Sequence, residues 1–160
     1  DLEAWFFDRI VRDRPIPIPG NGMHFTQLGH CQDLASAMAA VLGNQRAIGQ
    51  IYNVSGDRFV TFDGLARACI QAIGKSPDSI KIVHYDPKKF DFGKKKAFPM
   101  RLQHFFTSVN KAVTELDWRP EFDLVSGLKD SFQNDYLVSG RDKAEIDFSV
   151  DDEILKAVQS

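Results

Sequence analysis

The chain is short of everything that would tie it to a membrane, an oxidising compartment or a metal. No apolar run approaches the ~20 residues needed to cross a bilayer, and Asp1 opens into an amphipathic stretch with no basic start and no apolar signal core. A soluble, unexported chain is expected. Only two cysteines, Cys31 and Cys69, occur in 160 residues, and both fall in helical patterns without pairing or metal-ligand spacing. They read as reduced, half-buried thiols. His24, His30, His84 and His104 show no H-x-x-x-H or carboxylate spacing, which leaves a metal site unsupported. A dinucleotide fingerprint is missing too. Gly20-Asn-Gly-Met-His-Phe25 lacks the third glycine, follows a proline run and opens no helix, so it reads as a surface turn and no cofactor site is assigned to this chain. Tyr85-Asp-Pro-Lys-Lys89 has the spacing of a Tyr-x-x-x-Lys acid–base dyad, but Pro87 breaks the helical turn that would align the two side chains.

What is present is an ordinary globular composition, 43% apolar and 26% charged, with an uneven charge distribution behind a net −2. Residues 75–101 hold seven Lys and one Arg against three Asp; residues 115–160 hold five Lys/Arg against twelve Asp/Glu. A basic middle and an acidic tail therefore cancel in the total. Helical spacing is expected from Leu2 to Val11, from Asp33 to Leu42, from Thr61 as N-cap through Ile73, from Ser108 as N-cap through Leu116, from Leu124 to Val138, and from Ser149, opening a capping box, to Val158. Strands are expected at Met23–Leu28, at Gln50–Val54 and over Ile80–Val83, with Ile16 and Ile18 in a short extended or edge segment between prolines. Strands alternating with helices imply an α/β fold with parallel pairing. Tyr85 to Phe106 has no clean period and is expected to be mostly loop.

That loop is the most suggestive stretch. Lys88, Lys89, Lys94, Lys95, Lys96 and Arg101 are interleaved with Phe98, His104, Phe105 and other rings, a mixture suited to single-stranded nucleic acid, where cations neutralise phosphates and rings stack on bases. The competing reading buries the phenylalanines and solvates the lysines. His84 beside Asp86, or His104, would be the candidates for acid–base cleavage of RNA.

Three ordered segments carry a resemblance: Pro15-Ile-Pro-Ile-Pro-Gly-Asn-Gly22, Ile51-Tyr-Asn-Val-Ser-Gly56 and Asn110-Lys-Ala-Val-Thr-Glu-Leu-Asp-Trp-Arg-Pro120, with His30-Cys-Gln-Asp-Leu-Ala35 eight residues after Gly22. They resemble the rear half of extended short-chain dehydrogenases/reductases, the nucleotide-sugar epimerases and dehydratases. The resemblance implies the C-terminal part of a Rossmann-like fold, with an incomplete parallel sheet and a small C-terminal substrate-type subdomain. Residues 1–74 would carry the last Rossmann-like elements and the start of that subdomain; residues 75–160 would carry its remainder, with the basic aromatic loop 85–106 and the acidic helical tail. In this register Thr26 replaces the arginine that clamps the sugar-nucleotide diphosphate, Gln27 replaces the following aspartate and Ser108 a second one, which puts sugar-nucleotide binding in doubt.

A narrower resemblance rests on Asp8-Arg-Ile-Val-Arg-Asp-Arg-Pro15, Val83-His-Tyr-Asp-Pro-Lys88, Lys95-Lys-Ala-Phe-Pro-Met-Arg101 and Gly140-Arg-Asp-Lys-Ala-Glu-Ile-Asp-Phe148. These words are similar to the chloroplast stem-loop-binding protein family and its cyanobacterial relatives. The resemblance implies binding of RNA (mRNA or stem-loops), endoribonuclease activity in plastid members, association with ribosomes, and either a plastid stroma or, for a cyanobacterial chain, the cytoplasm. It assigns no catalytic residue here. The alternative is an NAD(P)-dependent epimerase or dehydratase whose catalytic half, and the NAD(P) it would bind, lie outside this chain. Association between copies would cover the open sheet.

Overall fold

The structure, a computed structural model, describes residues 2–159. Its elements run α1 (Leu2–Ile10), β1 (Ile16–Pro19), β2 (Phe25–Thr26), α2 (Cys31–Ala40), β3 (Val60–Thr61), α3 (Phe62–Ala72), β4 (Ile82–Tyr85), α4 (Asn110–Leu116), α5 (Leu124–Ser131) and α6 (Ser149–Gln159). The α/β class with a short parallel sheet is as expected. β1 lies parallel to β4, Ile16 opposite Ile82 and Pro19 opposite Tyr85. Two prolines fit in β1 because the amides that face β4 belong to other residues. Ile16 donates to the Lys81 carbonyl at 2.9 Å and Gly20 to that of Tyr85 at 2.8 Å, while the nitrogens of Pro17 and Pro19 point away.

Two expected strands shrink or vanish. Only Phe25 and Thr26 of Met23–Leu28 pair, antiparallel to Thr61 and Val60. Residues 50–54 form no strand, and Ile51 is 87% exposed. A strand exists only where a neighbour takes up its amides and carbonyls, and no strand among the described residues pairs with this segment. The chain is instead held close at Gly56, which donates to the Leu28 carbonyl at 3.1 Å; a Cβ there would sit 2.5 Å from that oxygen, so only glycine fits.

Apolar burial gathers in two cores. The larger joins Phe6, Phe7 and Ile10 of α1, Ile16 and Ile18 of β1, Phe62, Leu65 and Ile70 of α3, and Leu128 of α5. The smaller joins Ala37 of α2, Ala112 and Leu116 of α4 and Trp118. Between them, α2 is fastened to the segment leading into α5. The buried Asp33 carboxylate accepts the Glu121 amide at 2.8 Å and the Phe122 amide at 3.3 Å, and the Asp33 carbonyl accepts Trp118 Nε1 at 3.1 Å. His30 caps α2 through Nδ1 (3.3 Å from the Gln32 amide), stacks on Phe122 at 3.8 Å and sets Nε2 3.1 Å from Asp130. His30-Cys-Gln-Asp33 and Trp118-Arg-Pro-Glu-Phe122 are thus two sides of one clasp.

A second clasp holds the C-terminal end. Asp8 and Arg9, though on α1, are buried, and a buried charge is costly unless paired. Asp8 accepts from Arg141 Nη2 at 2.7 Å and from the Tyr136 hydroxyl at 3.0 Å. Arg9 makes a two-point contact with Asp151, 2.7 Å at each nitrogen, and lies 3.4 Å over the Trp5 ring. Past Ser131, α5 widens into a π turn, Phe132–Tyr136, instead of continuing regularly to Val138. At α6, Asp147 rather than Ser149 supplies the cap: its Oδ1 accepts the Ser149 amide at 2.9 Å, and Ser149 already lies inside the helix. Thr61 caps α3 as expected, its hydroxyl 3.0 Å from the Gly64 amide.

Candidate nucleic-acid interface

Residues 86–106 leave the end of β4 and divide at Phe98 into two unlike halves. The first is a lysine arm. Asp86 accepts the Lys88 amide at 3.1 Å and so caps a 3-10 turn, Pro87–Lys89, that displays Lys88 and Lys89. Phe90 and Phe92 then stack on each other with centroids 5.5 Å apart, and Tyr85 meets Phe90 edge-on at 5.7 Å. This ring pair stiffens the approach to the Gly93 turn, after which Lys94, Lys95 and Lys96 follow, all exposed. Lys95 is held differently from its neighbours, with Nζ 3.1 Å from Asp147 and 3.2 Å from the Ser149 hydroxyl. Bonds from the Ser149 backbone and side chain, then from Lys95, bring the Asp147 carboxyl down to about 2, so it is fully ionised at neutral pH. Lys88, Lys89, Lys94 and Lys96 form no ion pair among the described residues.

Phe98 does not belong to any exposed face. It is 8% exposed and packs edge-on against Trp5 at 5.2 Å and tilted against Phe62 at 5.0 Å. The expectation that it stacks on RNA is therefore corrected. Removing an aromatic ring from water stabilises the fold by roughly 1.5–3 kcal/mol, and the aperiodic sequence around it hid that anchor.

Beyond Phe98 the second half lies on β2. Phe105 donates to the Phe25 carbonyl at 2.9 Å, and the Phe25 amide donates to His104 Nδ1 at 3.1 Å. Gln27 bridges the layer, donating to the Gly56 carbonyl at 2.6 Å and accepting the Thr107 amide at 2.7 Å. A glutamine here reads as polar surface in sequence, and nothing signals that it ties three segments together. Phe105 is 61% exposed. Arg101 folds back so that it and Thr26 line one cavity of about 300 Å³, together with Phe62, Gln103 and Phe105. His104 and Phe106 join Phe25 and Phe59 in an aromatic cluster that sequence reading did not assemble, because its members come from three separated segments.

The remaining titratable groups are structural or differently paired. His84 meets Asp63, not Asp86, at 2.9 and 3.0 Å. Gly22, with φ +72°, leaves room for that pair; a Cβ there would overlap Asp63 and crowd His84. The Gly20-Asn-Gly22 turn therefore packs on a His–Asp pair and leads to β2 rather than into a helix. Tyr85 is buried at the end of β4, and burial pushes its hydroxyl up to about 12, the opposite of what a catalytic phenol needs. Cys69 is buried, which raises its thiol, while Cys31 is exposed rather than half-buried. Among the described residues no three His, Cys, Asp or Glu side chains could hold a metal ion, and no helix is long and apolar enough to cross a membrane.

The parallel β1–β4 pair, the helices packed on it and the clasp between His30–Asp33 and Trp118–Phe122 define the C-terminal part of an extended short-chain dehydrogenase fold. Solved structures agree. An epimerase from Methanothermobacter thermautotrophicus matches with a TM-score of 0.65 and 18% identity, covering 88% of this chain and 39% of that one. A dTDP-glucose 4,6-dehydratase from Bacillus anthracis, solved in complex with NAD, matches with a TM-score of 0.60 and 22% identity over 83% of this chain and 38% of that one. At such identities the likeness concerns the fold alone. The chain belongs to the chloroplast stem-loop-binding protein family: it is 56% identical over 154 residues, 96% of its length, to the chloroplast stem-loop binding protein of 41 kDa b of Arabidopsis thaliana, a chloroplastic protein. It spans 40% of the length of that relative. No family profile matches it.

Proposed function

We propose that this chain is the RNA-contacting portion of a plastid RNA-binding protein built on an epimerase-type scaffold. The observation that carries the reading is the lysine arm: Lys88, Lys89, Lys94 and Lys96 stand exposed and unneutralised on a turn stiffened by stacked rings. Such an arm meets phosphates without selecting sequence. Arg101, His104 and Phe105 add a cation, a hydrogen-bonding ring and an exposed ring from the second half. The name of the Arabidopsis relative supports a stem-loop as the RNA. Cleavage of that RNA, association with ribosomes and self-association are the finer parts of the proposal; His104 and the His84–Asp63 pair are the proton-carrying groups on offer for cleavage.

The test is a titration of the full-length protein with a hairpin RNA between 50 and 250 mM salt. Affinity should fall steeply, with a log–log slope of several units. Binding without salt dependence, or no binding, ends the reading. One observation favours a second reading: Thr26 and Arg101 share a cavity, so the arginine stands near the place where related enzymes clamp a diphosphate. The full-length protein would then bind NAD(P) and turn over a nucleotide-sugar. Turnover without salt-dependent RNA affinity would select that reading over the first.

A further inference from the structure

Among the exposed apolar side chains of the described residues, two groups differ in kind. One is aliphatic: Leu34 and Met38 on α2, with Leu42, Ile48 and Ile51 beyond it. The other is aromatic. Phe59 and Phe106 are 52% and 50% exposed, with centroids 4.9 Å apart and planes at 31°. Both rest on Phe25, which meets them edge-on at 5.0 and 6.3 Å. We infer that Phe59 and Phe106 form a stacking platform for unpaired nucleobases, a contact site separate from the lysine arm. The inference rests on the RNA reading above and specifies which part of an RNA this face takes.

Three features carry it. First, the rings are mounted on a hydrogen-bonded frame. Phe59 leads directly into β3, β3 pairs with β2, and His104 and Phe105, just before Phe106, are hydrogen-bonded to Phe25 of β2. The Gln27 bridge from Gly56 to Thr107 closes the frame on both sides. Little freedom is left to lose when a base arrives. Second, cations stand near both rings in the chain. Arg58 precedes Phe59 with its side chain 89% exposed and its Nε 3.7 Å from Asp57, and Arg101 lies in the same strip as Phe106 with no ion pair among the described residues. Ring faces beside guanidinium groups complement bases beside phosphates. The aliphatic surface offers no ring face to a base. Third, a duplex hides its base faces within its own stack, so an exposed aromatic surface selects nucleotides that are not paired.

The experiment compares the full-length protein and its Phe59→Ala/Phe106→Ala variant on two RNAs, an unpaired oligonucleotide and a fully paired duplex of the same length. Each lost stack is expected to weaken single-strand binding by roughly tenfold, with duplex affinity and the salt slope unchanged. A Phe59→Trp variant should bind normally and lose its indole fluorescence when the single strand is added. The proposal is overturned if the Ala pair leaves single-strand affinity intact, if it weakens both RNAs equally, or if Phe59→Leu/Phe106→Leu binds as well as the wild type. A lower melting temperature with unchanged affinity also overturns it, because the rings would then be covered by protein. Wild-type protein lacking salt-dependent binding to either RNA would instead fail the RNA reading itself.

Discussion

The lysine arm and the aromatic strip are consecutive stretches of one loop, yet they are built on opposite principles. The arm, Pro87–Lys96, projects from the end of β4 and is braced mainly by its own Phe90–Phe92 stack and by one tie from Lys95 to Asp147. The strip, Phe98–Phe106, is pinned at its start by a buried ring and hydrogen-bonded to β2 at its end. An electrostatic contact with phosphate tolerates loose geometry because the attraction falls off slowly with distance. A stacking contact does not, because dispersion and π contacts fade within an ångström or so. Charge is therefore placed on the projecting half of the loop and apolar ring surface on the framed half.

The largest blow to this division should come from Phe98→Ala, which removes the pin between the halves. Denaturant unfolding should report a loss of roughly 3–5 kcal/mol, while the salt slope of RNA binding, measured well below the melting point, should stay near that of the wild type. A slope that collapsed would show that arm and strip are not independent. Next in size, Lys94→Glu/Lys95→Glu/Lys96→Glu should weaken RNA binding about a hundredfold in low salt and flatten the log–log slope by roughly two units; unchanged affinity in a folded variant would remove the arm from the interface.

Smaller effects sharpen the comparison. Asp147→Asn releases Lys95 and should raise affinity roughly two- to threefold with a slightly steeper slope. Because the Asp147 carboxyl is lowered to about 2, its contribution is present above its ordinary value near 3.8 and is lost only as pH falls through 2. The wild-type tie should accordingly show no pH dependence between 5 and 8 in the same binding assay. Last, Tyr85 at the root of the arm has its hydroxyl raised to about 12, so its contribution is complete below its ordinary value near 10 and is lost as pH climbs through 12. Urea unfolding over that range should lose part of its pH slope in Tyr85→Phe.

The amphipathic helices were legible because each buries one face at the helical period: Phe6 and Ile10 in α1, Leu65, Cys69 and Ala72 in α3, Ile154 and Leu155 in α6. The order of the resemblance segments was legible as well, and the structure explains their company. His30 and Asp33 grip the Trp118–Phe122 segment, and Asp8 and Arg9 grip Arg141 and Asp151. Several of the words that carry the resemblance are scaffold clasps. What escaped was long-range and aperiodic. Residues 50–54 have strand composition, but a strand is a property of two chains. Phe98 looks the same as its exposed neighbours until α1 is placed beneath it. Phe25, Phe59 and Phe106 are brought together by the β2–β3 pairing and by the bonds of His104 and Phe105 to Phe25, which no local pattern announces.

The paired prolines of β1 have a bearing on assembly. On the side of β1 turned away from β4, the two positions that would offer amide hydrogens are Pro17 and Pro19, so that flank presents carbonyls without donors. A further strand laid along it would find acceptors but no amide donors. That flank therefore does not favour edge-to-edge pairing between molecules, and a destabilised molecule has one fewer edge from which to seed an ordered aggregate.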